Sequence, residues 1–96
     1  MPAAQFFNAI VSAADFSGSV LPNSHFDDAI GIGATFVDLL LRQAVFDNGD
    51  FSGTIFNGSN LTDARFVEAN LTNTDFRNAV ILGTSFQGAE TEGIQF

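Results

Sequence analysis

Ala69-Asn70-Leu71-Thr72-Asn73 runs directly into Thr74-Asp75-Phe76-Arg77-Asn78, and the two five-residue blocks share one design. Each opens on a small residue, places a large apolar one two positions later, and ends on a residue suited to a tight corner. Stepping outward from Leu71 and Phe76 in fives, the large position is in phase from Phe6 to Phe96, and only Gly31 and Thr91 depart from it. Two residues earlier, the series from Ala4 to Ala89 is Ala, Ser, Thr or Gly throughout except at Leu39, and Ile94 ends it. A period of five fits neither the 3.6 of a helix nor the 2 of a strand. It fits a coil in which each block is one short side. Residues i and i−2 then share the inward face, and the other three positions meet solvent. Asn or Gly at the last position, as in Asn8, Gly18, Asn48 and Gly83, supplies the corners.

A second period, of twenty, sets the number of sides. Sorted at that interval, one column of central residues reads Phe6, Phe26, Phe46, Phe66, Phe86, and the column half a period away reads Phe16, Phe36, Phe56, Phe76, Phe96. A third is aliphatic (Leu21, Leu41, Leu61, Ile81), and the fourth is mixed (Val11, Gly31, Phe51, Leu71, Thr91). The coil therefore has four sides, with Phe ladders on two opposite ones, and about five coils stack in parallel at strand spacing, ~4.8 Å. That spacing suits offset-stacked rings. In the fourth column Gly31 leaves a gap into which Phe51 of the next coil is expected to lean.

The pattern small–x–(Leu/Phe)–x–x, as in Ala14-Asp15-Phe16-Ser17-Gly18 and Ala69-Asn70-Leu71-Thr72-Asn73, resembles the pentapeptide-repeat family over residues 4–96. The resemblance implies an all-β, right-handed quadrilateral parallel β-helix, with residues 1–96 as a single domain. It implies little about activity, because one fold carries many functions.

Composition narrows the function classes. The chain of 96 residues has no Cys and one His, so neither a disulfide framework nor a histidine–cysteine metal site is available to a small core. With three Arg, no Lys and a formal net charge of −8, direct binding to nucleic acid or to an anionic membrane surface is disfavoured. No apolar run approaches the ~20 residues of a membrane-spanning helix. No basic-then-apolar leader is visible, which makes a cytoplasmic location the expectation. His25 points outward and Ser24 inward, so they form no dyad. Asp47-Asn48-Gly49-Asp50 lacks the ligand spacing of a calcium loop. No catalytic residue, cofactor site or metal site is expected.

Two surface features stand out. Asp27 and Asp47 fall on one outward column, Asp28 and Glu68 on the next, and Asp50 just past the corner. These five carboxylates over about three coils approach the charge density of duplex DNA, one per ~1.7 Å. Asp is also favoured on the outer positions of such a coil, so a solvated face is the plainer reading. Some pentapeptide-repeat proteins are thought to mimic DNA toward type II topoisomerases. This chain resembles those less closely, being short and lacking interrupting loops. The second feature is apolar: Phe7, Ile10, Val20, Ile30 and Leu40 are expected outside on the N-terminal coils, as an interface with another protein. Open strand edges at the two ends invite end-to-end stacking into a homodimer. A non-catalytic structural or protein-binding module is the expected role, with a DNA-mimic effector of DNA gyrase as the alternative.

Overall fold

The computed structural model describes residues 5–96; Ala4, which opens the small column, lies outside them. The chain winds through four flat sides per coil, each side one pentapeptide. The residue just before each central position makes a parallel bridge to the residue twenty further on. On the first side the ladder is Gln5–His25–Val45–Arg65–Ser85, and on the second Ile10–Ile30–Asp50–Asn70–Glu90. On the third it is Asp15–Thr35–Ile55–Asp75–Gln95, and on the fourth Val20–Leu40–Asn60–Val80. Each side is straight for so few residues that it contributes a bridge to the ladder rather than an extended strand.

Backbone groups between coils are satisfied in a fixed rhythm. The Phe26 amide donates to the Val45 carbonyl at 2.7 Å, the Val45 amide donates back to the Ser24 carbonyl at 2.9 Å, and the Asp28 amide donates to the Asp47 carbonyl at 2.9 Å. Within the corners the fourth residue donates to the first, as Ala29 does to Phe26 at 3.1 Å, except at Phe36–Leu39, where the Leu39 amide donates to the Ser59 hydroxyl instead. This four-residue turn requires a left-handed third residue. Asn48 (φ 59°) and Gly53 (φ 66°) meet that requirement with the residue types that tolerate it best. Ala13, Asp28, Asp38, Gln43, Asp63 and Glu68 occupy the same conformation without being Asn or Gly. For two of these the next coil makes room: Asp38 and Asp63 lay a carboxylate oxygen where Gly58 and Gly83 would otherwise carry a Cβ.

The core is the expected pair of ladders. Phe46 stacks on Phe26 at 5.0 Å and on Phe66 at 4.6 Å, its ring within 5° of both. Phe56 stacks on Phe36 at 5.0 Å and on Phe76 at 5.1 Å. The two ladders meet edge to face across the interior, Phe46 to Phe56 at 5.5 Å and Phe56 to Phe66 at 5.5 Å. Both arrangements are favoured by the ring quadrupole. Phe51 fills the space opened by Gly31 and stands edge-on to Phe46 at 5.0 Å, as its place in the mixed column suggested. Gly49, two residues before Phe51, belongs to the same accommodation, since a Cβ there would strike the other edge of the ring.

The small inward residues do more than leave room. Thr54 Oγ1 donates to the Gly31 carbonyl at 2.9 Å, Thr74 to Phe51 at 3.0 Å, and Thr84 to Leu61 at 2.6 Å; Ser59 donates likewise to Phe36. Each hydroxyl thus ties its coil to a central carbonyl twenty-three residues earlier, which satisfies a polar atom that would be costly to bury alone. Leu39, the large exception in this column, is buried, and its neighbour one coil on is the small Ser59, whose Oγ accepts from the Leu39 amide at 3.0 Å.

Candidate binding faces

With the interior filled, the chemistry of this chain lies on its four sides. Charge is distributed unevenly among them. The first side carries Asp27, Asp28, Asp47 and Glu68 against Arg65, a net −3. The second carries Asp50, Glu90 and Glu92, again −3. The third has Asp15, Asp38 and Asp75 against Arg77, a net −2, and the fourth has only Asp63 and Arg42, which cancel.

The structure gathers Asp27, Asp28, Asp47 and Glu68 on the first side and places Asp50 at the start of the second. Their surroundings differ. Asp47 is three-quarters or more covered and pairs with Arg65 Nη2 at 3.0 Å, while its other oxygen accepts from the Val67 amide at 3.1 Å. Asp27 contacts His25 Nδ1 at 3.3 Å, and the Phe7 ring stacks on the same imidazole at 5.2 Å. Asp50 accepts from the Ser52 amide at 3.2 Å and the Ser52 hydroxyl at 2.9 Å. Asn60 and Asn70 make the same local bonds to Thr62 and Thr72, so Asp50 serves the corner as they do. Asp28 and Glu68 are exposed at corners, two coils apart, with Asn48 between them. Sequence reasoning did not find the Arg65 and His25 contacts; the available signal was that Arg65 and His25 share the ladder adjacent to the Asp27–Asp47 column.

On the third side, Arg77 donates to Asp75 through Nε at 3.0 and 3.1 Å and through Nη2 at 2.7 Å. These bonds lower the Asp75 carboxyl from its ordinary 3.8 to about 2. Because the folded value is depressed, the pair contributes its stability above the unfolded carboxylate range and loses it as pH falls from about 4 to about 2. The exposed position keeps the contribution small. In Arg77→Ala the Asp75 carboxyl is expected to titrate higher than in the wild type by carbon-detected NMR; an unchanged low value would place the cause elsewhere.

Phe7, Ile10, Val20, Ile30 and Leu40 are all exposed. The register brings Ile10 against Ile30 on the second side and Val20 against Leu40 on the fourth. These pairs are half a coil apart and form two strips on opposite sides, with Phe7 on the first side between them. Exposed aliphatics also continue past the N-terminal coils, at Ile55, Val80 and Leu82. Among the described residues no cavity opens and no three His, Asp or Glu converge as metal ligands.

Four flat pentapeptide sides stacked in parallel around phenylalanine ladders define a quadrilateral parallel β-helix of the right-handed solenoid class. The sequence matches the family described as pentapeptide repeats, in eight copies, over residues 9–48, 32–63 and 59–90, and the chain belongs to that family. It is similar to a pentapeptide-repeat protein, Rfr23, from the cyanobacterium Cyanothece 51142, with 26% identity and a TM-score of 0.87 over 91% of this chain. It is also similar in fold to QnrB1, a plasmid-mediated fluoroquinolone resistance protein, with 19% identity and a TM-score of 0.68 over 94% of this chain. The chain spans 59% of the length of each. No curated protein sequence matches it.

Proposed function

We propose that this chain is a non-catalytic scaffold that binds another protein through the outer sides of its coil. One observation carries the reading: the interior is closed by stacked rings, and even the gap at Gly31 is taken by Phe51, so recognition is left to the surface. The sides are rigid, evenly spaced and chemically distinct, which suits shape and charge recognition of a macromolecule. Cross-linking in extract of the source cell, read by mass spectrometry, tests it with one variant per side: Glu68→Lys, Ile30→Asp, Ile55→Asp and Leu40→Asp. Loss of a specific cross-linked partner in one variant, with melting unchanged, is the expected result. Identical capture by all four variants would put recognition somewhere other than these sides and overturn the reading.

A second reading, a DNA-mimic effector of a type II topoisomerase, rests on the four carboxylates of the first side. Fluoroquinolone resistance is a property of QnrB1 itself; at 19% identity the likeness carries the fold alone. Arg65 counts against this reading, because it offsets one of the four charges at Asp47. A gyrase supercoiling assay decides it: inhibition that vanishes when Asp27, Asp47 and Glu68 are all changed to Lys supports mimicry, and no inhibition at any concentration ends it.

A further inference from the structure

The fourth side differs from the other three in two independent respects. It holds no net charge in a chain of −8, and it carries four of the large apolar side chains left in solvent: Val20 (63% exposed), Leu40 (48%), Val80 (48%) and Leu82 (73%). The remaining sides, at −3, −3 and −2, repel a second copy of themselves. On the fourth side two copies approach without that penalty and cover apolar surface. The accessible surface of 4906 Å², shared among four sides and two ends, puts roughly 800 Å² on each, about what one partner contributes to an interface of standard size.

We propose that the fourth side is a self-association surface on which a second copy of this chain packs antiparallel, side against side. The register selects the direction. A two-fold axis lying across the side between Leu40 and Asn60 reverses the order of the coils, so that Val20 meets the partner's Val80 and Pro22 meets the partner's Leu82. The same operation brings Arg42 level with the partner's Asp63, twice, by symmetry. In a parallel pairing Arg42 would instead lie level with the partner's Arg42, like charge beside like charge. The interface has a few exposed aliphatics and no aromatic anchor, so the dimer is weak and concentration-dependent.

Sedimentation equilibrium of the purified chain from about 5 μM to about 500 μM tests this, with dissociation expected on the order of 10–100 μM. Leu82→Asp places an uncompensated charge against the partner's Pro22 at both ends of the contact and is expected to weaken the dimer at least about tenfold. Its circular dichroism and melting should stay unchanged, since Leu82 is outside the core. Arg42→Asp and Asp63→Arg should each weaken the dimer, and the charge-swapped double variant should restore it. A wild type that is monomeric throughout overturns the proposal. So does a dimer that persists in Leu82→Asp, which would use an end or another side, and so does a charge swap that fails to restore association.

Discussion

Replacing Phe56 by alanine is expected to lower the unfolding free energy by about 3–5 kcal/mol. The ring is fully buried, stacked between Phe36 at 5.0 Å and Phe76 at 5.1 Å, and edge-on to Phe46 and Phe66 at 5.5 Å each. Its removal leaves a void that the neighbours are poorly placed to fill, because the inter-coil backbone bonds hold the coils at fixed spacing. The coils therefore cannot collapse onto the hole, and the cavity contribution adds to the lost transfer energy. Phe96→Ala, the same chemistry on a ring that is 65% exposed, should cost less than about 1 kcal/mol. Urea denaturation of the two variants checks the contrast. Equal midpoints would mean that stacked burial is not what holds this fold.

The second large effect concerns a residue with no side chain. Gly31 and Gly49 are absent from the left-handed positions, so neither is glycine for backbone reasons. At an ordinary φ, glycine to alanine normally stabilises by restricting the unfolded chain. Here the sign is reversed by Phe51, whose ring atoms stand 2.6 and 2.7 Å from where the Gly31 Cβ would lie. Those atoms belong to a ring already held edge-on to Phe46, and it has little freedom to retreat. Gly31→Ala is expected to cost about 1–3 kcal/mol. Combined with Phe51→Leu, the same change should cost much less than it does alone, a coupling that a double-mutant cycle measures directly. Additive effects would show that the ring and the glycine do not share the space.

Much of this is legible in the sequence alone. Phe6 to Phe96 fall into columns because a coil of fixed length converts distance along the chain into position around and along one axis. The Gly31–Phe51 accommodation could be anticipated for the same reason, since a missing side chain and an extra ring occupy adjacent levels of one column. The corners were half legible: Asn48 and Gly53 announce a left-handed residue, whereas Gln43 and Ala13 are carried into that conformation by the ladder bonds on either side. The hydroxyl ties from Thr54, Thr74 and Thr84 were hidden behind a plainer explanation, since a small residue at a crowded inward position needs no second reason.

On the surface, register alone was a weaker guide. It correctly stacks Ile10 on Ile30 and Val20 on Leu40, yet whether two outward pairs form one patch depends on which side of the coil each occupies. It places Asp27 above Asp47 but says nothing of Arg65 reaching across from the adjacent ladder. The sequence by itself determined the coil, its four sides and its inward columns, because burial acts on residue size and polarity at fixed intervals. The tertiary structure alone decided which charges are paired and which hydroxyls bridge the coils. Those depend on how far a flexible side chain reaches between columns, a distance that no periodicity encodes.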